Sequence, residues 1–337
     1  MSFAEVIVKV VIAAKGWAYP ANSMYTYARD LLRAVRVVGV DAEPWTVPSP
    51  RGARIGGLVR PWVESHVRRY DVPPGTIVHH TEHDTWRGVD VMTLHDLVMF
   101  HDHRFSDNFV RMAVRTSVRR ARRVAVYTSW MAGEVLRAGL ADSDKLRVVP
   151  PPFHVLSTER YPPLYDAFWL GRYAPNKRFE AFVRLVDAFP QRQFAARVSR
   201  SPGRPPMSDA VMSSLHRAQH HGYLKMLSVL SEDDLDRVYR SSRTLVVTSD
   251  YEGFHLPAMD AYLRGTRVVL PRIEPFVSTY GDVDGVHWYD GSDSGLRDAF
   301  AEAVDSGPFV PSPSIVNAVS YPVVGKALKS VYEEVAR

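Results

Sequence analysis

Two carboxylates and two cations carry the chemistry that this sequence is equipped to do. Glu252 and Asp260 stand in DYEGFHLPAMD, 250–260, on either side of a glycine and a proline. An ionised carboxylate accepts hydrogen bonds from two neighbouring hydroxyls at once, which is what holding a ribose or hexose diol requires. Pro257 suits the first turn of a helix over PAMDAYLR, and the free N–H groups at such a helix start attract anions. Gly253 lets the backbone come close to a ligand. Asp260, placed in the first turn, has a plain alternative role in complementing the helix dipole. Arg172 and Lys177, in WLGRYAPNKRFE, 169–180, can neutralise a diphosphate and stabilise the charge that grows on it as it leaves. Together these groups suit a nucleotide sugar, with diols at both ends and a diphosphate between; a charged loop beside a capped helix is the bland alternative for the first stretch taken alone.

Elements of a repeated kind must position these residues. TLVVTS, 244–249, reads as the strand before the carboxylate loop, and DAFWLG, 166–171, as the strand before the two cations. Further strand-like runs lie at 6–14, 76–80, 89–95, 123–129, 146–150, 194–199 and 267–271, with helical patterns at 25–38, 108–122, 179–188, 232–241 and 295–304 between them. Such alternation predicts an α/β fold of doubly wound parallel sheets covered by helices on both faces. Prolines crowd and periodicity lapses in PPFHVLSTERYPP, 151–163. The predicted organisation is therefore a domain at 1–155, a second at 156–313, and a helical segment at 314–337 that crosses back to the first. Ligands of these folds bind beyond the carboxyl ends of the strands, in a cleft, which is where the candidate motifs fall.

Composition sets outer limits. In 337 residues, 46% apolar and 23% charged, there is enough core for two domains and no reason to expect disorder. VIVKVVIAA, 6–14, is short and carries Lys9, so it reads as a buried strand and neither a signal peptide nor a membrane span. The absence of cysteine excludes disulfides and thiolate metal sites and agrees with a cytoplasmic enzyme. The net charge of +5 is partly local: Arg111–Arg123 holds six arginines, of which Arg111, Arg115 and Arg119 share one helical face. A solvated face, an anionic membrane surface and an acidic acceptor all fit that pattern. The histidine-rich runs HHTEHDTW, 79–86, and HDLVMFHDH, 95–103, match no metal-ligand spacing, and GDVDG, 281–285, reads as a turn, so no metal and no cofactor is expected.

The chain resembles the retaining nucleotide-sugar glycosyltransferases of family 4, which have the GT-B fold of two Rossmann-like domains facing a central cleft. The resemblance lies in EGFHLPAMDAYLRGTRVV, in the preceding LSEDDLDRVYRSSRTLVVTS, in the Arg172 and Lys177 spacing, in VMTLHDLVMF and in RRARRVAVYTSWMAGEVLRAG. It implies that Arg172 and Lys177 hold the donor diphosphate, Glu252 the sugar hydroxyls and Asp260 the ribose hydroxyls. Backbone N–H groups around Phe254, His255 and Leu256 would meet phosphate or sugar, with Gly253 also among the donor-binding residues; Gly16 would occupy the amino-terminal loop lining the cleft and count with them, and His95 would lie near the transferred sugar, reaching in from the other domain. Glu252 and His95 are then the catalytic candidates, with front-face attack by the acceptor and no covalent nucleophile. Asp260 stands where the family has Glu, His255 where it has Gly, Val277 and Ser278 where it has Pro-Glu, and RVSRSPG, 197–203, where it has a Gly-rich turn.

The expected function is transfer of a hexose from a nucleotide-diphosphate sugar to a glycan, lipid-linked or small-molecule acceptor. The location expected is cytoplasmic, with peripheral attachment to a membrane through the Arg111–Arg123 helix as an option. Two alternatives from other classes are a GT-B enzyme acting on nucleic acid and a non-catalytic nucleotide or sugar binder of the same fold.

Overall fold

The structure, a computed structural model, describes residues 9–18, 23–48, 67–101, 107–154, 158–199 and 206–337. Residues 6–8 of the expected first strand, 102–103 of the second histidine run, 155–157 of the expected linker and 200–203 of RVSRSPG lie outside the described residues. The chain divides into two compact units, Met1–His154 together with Asn317–Arg337, and Val155–Val316.

The first unit is built on a parallel sheet. Its strands are β1 (Lys9–Ala14), β2 (Asp41–Thr46), β3 (Ile77–His80), β4 (Val91–Leu94), β5 (Arg123–Val126) and β6 (Leu146–Val148), in the spatial order β2-β1-β3-β4-β5-β6. Helices α1 (Ser23–Val37), α2 (Val98–His101), α3 (Asp107–Arg120) and α4 (Ser129–Arg137) run between them. β1, β3 and β4 are buried almost throughout, which is why they read as continuous apolar runs. β2 escaped the sequence reading because it contains Pro44 and is mostly exposed, both features of an edge strand.

The second unit repeats the plan with β7 (Tyr165–Arg172), β8 (Phe194–Ser199), β9 (Leu224–Met226), β10 (Ser242–Val246), β11 (Arg267–Pro271) and β12 (Val286–Tyr289). Their order is β12-β11-β10-β7-β8-β9, again all parallel. Its helices are α5 (Phe179–Ala188), α6 (Asp209–His220), α7 (Glu232–Arg240), α8 (Leu256–Leu263), α9 (Phe276–Tyr280), α10 (Asp293–Asp305) and α11 (Pro313–Ala318). In α5, Phe179, Phe182, Val183 and Val186 recur with helical period and are buried against Trp169, Phe194 and Phe300. α7 starts where Ser231 accepts from the Asp234 N–H, with Glu232, Asp233 and Asp234 favourably placed against the dipole. β9 and β12 are too short to announce themselves by alternation, and GDVDG is the turn that leads into β12, with Asp284 bonded to Arg267 at 3.0 Å.

The chain returns to the first unit in α12 (Tyr321–Ala336), which packs along α1. Gly325 makes that approach possible, since a Cβ there would collide with the Ala34 carbonyl. Beneath the contact runs a buried polar chain: Tyr332 Oη to His79 Nδ1 at 2.7 Å, His79 Nε2 to Thr93 Oγ1 at 2.9 Å, and Thr93 Oγ1 to Tyr27 Oη at 3.0 Å. Burial pushes His79 down to about 3, so the imidazole is neutral and each hydrogen bond uses a defined lone pair or N–H. The end of α12 takes two members of the arginine run. Arg122 donates to the Val335 carbonyl, and Arg123 and Arg147 both hold Glu334. Arg115 and Arg119 remain exposed on α3.

Two expectations follow from this docking. Gly325→Ala forces α1 and α12 apart at a backbone contact and is expected to cost about 1–3 kcal/mol, read from urea unfolding. Glu334 is held by hydrogen bonds from Arg147 and Arg123 at about 2, below its unfolded value of about 4.3. Its contribution is therefore present above the unfolded pKa and lost as pH falls. The stability difference between wild type and Glu334→Gln should be largest near neutrality, shrink below about pH 4.3 and vanish below about pH 2.

Candidate functional site

In the second sheet the chain leaves β7 toward β8 on one side and returns to β10 on the other, so the loops after β7 and β10 diverge at neighbouring strand ends. That is the topological switch point at which parallel sheets open a crevice. β7 ends at Arg172, and the chain then makes a 3₁₀ turn over Pro175–Lys177. β10 leads into the loop carrying Ser249 to His255. The two loops are tied together: the Asp250 N–H donates to the Asn176 carbonyl at 3.0 Å, Asn176 Nδ2 to the Tyr251 carbonyl at 3.1 Å, and Thr248 Oγ1 to the Lys177 carbonyl at 2.6 Å. Thr248 in turn accepts from the buried Trp169 indole at 3.0 Å.

These ties place Lys177 against Glu252, and the two form an ion pair. Both are largely removed from solvent, with side chains 16% and 9% exposed. Burial alone pushes the Glu252 carboxyl up, but the Lys177 ammonium outweighs it, with help from His255 and Ser249, and the group lies below the ordinary carboxylate range. Glu252 is therefore a carboxylate at neutral pH, buried and fully charged. His255 completes the group. Its Nδ1 accepts from the Ala258 N–H at 3.1 Å, capping α8, and its Nε2 stands 3.9 Å from Glu252 Oε1. Burial pushes the imidazole down to about 4 against the pull of Glu252, so it is neutral.

His255 and Arg178 are the only described residues other than glycine with positive φ, at 71° and 45°. They cap α8 and α5, the two helices that begin at this site. Left-handed backbone at non-glycine residues is unfavourable and persists where its surroundings enforce it, often at functional sites. Gly253 and Phe254 are buried in the same loop, and Leu256, half-buried, opens α8.

The other expected residues are placed differently. Arg172 is exposed at the end of β7 and makes no ion pair among the described residues. Asp260 does not lie in the first turn of α8. Because His255 caps the helix and Leu256 starts it, Asp260 falls in the second turn and takes Arg264 as its partner at 2.7 Å, while Arg264 also reaches Asp236 at 2.7 Å. The dipole explanation for Asp260 is thereby replaced by a side-chain counterion, and its carboxylate keeps 28% exposure. Asn176, Thr248 and Ser249 support the site and were not singled out from sequence. Their signal was position alone, at the ends of two strands.

The first sheet has its own switch point between β1 and β3. Gly16, just after β1, is buried and donates its N–H to Glu82 at 3.2 Å. A Cβ there would meet the Met24 carbonyl carbon and Tyr25 nitrogen at 2.8 Å, so the glycine is required by the close pass of α1. Lys15 pairs with Asp84 and donates its backbone N–H to Glu82 at 2.8 Å. His80, Glu82 and Asp84 offer ligand atoms within 4.8 Å of one another, a grouping that HHTEHDTW did not reveal by spacing; the Lys15 ammonium supplies its positive charge. His95, after β4, donates Nε2–H to the Thr81 carbonyl and accepts the Tyr127 hydroxyl at Nδ1. Burial pushes it down to about 4, so it is a neutral ring with both nitrogens engaged inside the first unit.

No family model matches the chain. It is 26% identical over 117 residues to O-antigen chain mannosyltransferase B of Escherichia coli, a match spanning 34% of this chain and 31% of that protein. Among solved structures it is similar to sucrose-phosphate synthase from Thermosynechococcus elongatus, with TM-score 0.66 and 15% identity over 97% of this chain and 96% of the other. It is similar also to WaaG, a glycosyltransferase of lipopolysaccharide biosynthesis (TM-score 0.64, 11%, 97% and 98%), and to Anabaena HepE (TM-score 0.63, 13%, 97% and 95%). The fold is GT-B, an α/β fold with two parallel six-stranded sheets. Among the described residues no helix is long and apolar enough to cross a membrane.

Removing one member of a buried ion pair leaves the other uncompensated. Lys177→Met should therefore destabilise the protein by about 3–5 kcal/mol in urea unfolding at neutral pH, and Lys177→Met/Glu252→Gln should recover most of that loss.

Proposed function

We propose that the chain is a retaining, metal-independent glycosyltransferase that moves a hexose from a nucleotide-diphosphate sugar to a glycan, lipid-linked or small-molecule acceptor. The observation that carries this reading is the buried Lys177–Glu252 pair, with His255 beside it, at the switch point of a parallel sheet in a GT-B chain. The Anabaena structure holds UDP and glucose, and the other two are named as an O-antigen chain mannosyltransferase and a glycosyltransferase involved in lipopolysaccharide biosynthesis, which supports the donor and acceptor classes.

Each residue has a task in this reading. Lys177 has three N–H donors and uses one on Glu252, leaving two for diphosphate oxygens. Arg172, exposed at the adjoining strand end, adds a planar fork that matches phosphate. The two cations offset the charge that collects on the departing diphosphate, the task a divalent ion performs in metal-dependent transferases. Glu252, held ionised, orients the sugar through its hydroxyls, and the exposed part of Asp260 accepts from the ribose. The Phe254, His255 and Leu256 backbone, at the start of α8, meets phosphate or sugar. His95, with both nitrogens engaged, acts by shape and by fixing the strand end instead of by moving a proton. Arg115 and Arg119 provide the surface for an anionic membrane, in a protein located peripherally in the cytoplasm.

Incubation with a panel of UDP-, GDP- and ADP-linked hexoses, followed by NMR of the product anomer, tests the reading. Transfer or hydrolysis with retained configuration, undiminished by EDTA, is expected; a well-folded protein inert toward every donor overturns it. Arg172→Ala should lower kcat/KM for the donor by roughly 10–100-fold. Glu252→Gln, which keeps shape and loses charge, should lower kcat by about 100-fold.

A further inference from the structure

The tautomer of His255 is fixed by its surroundings. Nδ1 accepts the Ala258 N–H at 3.1 Å, so in a neutral ring the proton resides on Nε2. The side chain is 5% exposed and Nε2–H makes no hydrogen bond among the described residues; it faces Glu252 Oε1 at 3.9 Å, too far for a direct bond. Burial keeps the ring neutral to about pH 4, so the donor persists across the physiological range. The position is held in the left-handed region, φ 71° and ψ 75°, where glycine would be unstrained. An imidazole kept there sets a donor beside the Glu252 acceptor, their atoms 3.9 Å apart.

We propose that His255 Nε2–H and Glu252 Oε1 form a clamp for a single hydroxyl of the transferred sugar, which accepts from His255 and donates to Glu252, making His255 a specificity-determining residue. An oxygen about 2.8 Å from both atoms subtends close to a right angle between them, a geometry open to a hydroxyl and closed to a phosphate oxygen, which has no proton for Glu252. Lys177, paired with the same Glu252 oxygen, keeps its remaining N–H donors for phosphate. A site that hydrogen-bonds a substrate hydroxyl in this way discriminates strongly against sugars lacking it, because the pair is left unmet. The inference rests on the donor-site reading above.

The test compares binding of nucleotide sugars with binding of the corresponding nucleoside diphosphates, by calorimetry on the full chain, for wild type, His255→Asn and His255→Gly. Asn tolerates the left-handed conformation and can cap α8 through its amide oxygen, but its shorter side chain does not reach the Nε2 position. Gly removes the strain along with the ring and should leave the thermal midpoint unchanged or raised. Both variants are expected to bind the nucleotide sugar about tenfold more weakly while binding the free nucleoside diphosphate as wild type does. Equal losses for both ligands, or no loss for either, overturn the clamp and leave the donor site standing. A wild-type protein that binds no nucleotide sugar and no nucleoside diphosphate overturns both together.

Discussion

A buried charge must be met, and in the second unit that requirement organises everything near the switch point. Glu252 is kept out of water and ionised only because Lys177 is delivered to it. The delivery depends on bonds between two loops, from the Asp250 N–H to the Asn176 carbonyl, from the Asn176 amide to the Tyr251 carbonyl and from Thr248 to the Lys177 carbonyl. Those loops in turn emerge side by side because β7 and β10 are neighbours in the sheet although far apart in sequence. Low local dielectric strengthens the pair and raises the penalty for separating it. The same interaction therefore ties the two loops together and keeps two opposite charges beside each other at the strand ends.

The first unit handles buried polarity in another way. His79 and His95 are neutral, each with both ring nitrogens bonded to hydroxyl or carbonyl groups; His79 ties β4 to α12, and His95 ties together the residues that follow β3 and β5. The charged group lies nearby, where Lys15, Glu82 and Asp84 gather after β1 and β3. Both switch points thus carry a lysine paired with a carboxylate. The pairs differ in surroundings: Glu252 has the His255 ring 3.9 Å away, whereas Asp84 has Glu82 beside it, a second carboxyl bonded by two backbone N–H groups and raised by burial.

What could be read from sequence followed from local pattern. The period of α5, the apolar strands β8 and β11, and the helix start at Pro257 are all set by neighbours within a few residues, and they were legible. Glu252, His255 and Lys177 could be singled out as candidates too, because each follows a strand. Their mutual contacts could not be, since a Lys177–Glu252 pair spans 75 positions and only the strand order brings its ends together. Asp260 was placed in the wrong turn because the capping role of His255 depends on a backbone angle that composition does not show. The arginine run misled in part: Arg122 and Arg123 look like continuations of a charged face, but the helix ends at Arg120 and they turn to α12.

The path of the chain has a further consequence. The second unit is, in connectivity, an insertion within the first, because Asn317–Arg337 belongs with Met1–His154. During synthesis the second unit has its full complement of strands before the first unit receives α12, so the face of α1 that Gly325 will cover stays open until late. Domains generally fold as units in the order they leave the ribosome, and here the earlier one has to wait. α12 thus acts as the seal of the first unit, and a product that stops short of Tyr321 leaves the apolar face of α1 uncovered, a surface by which it can be told apart.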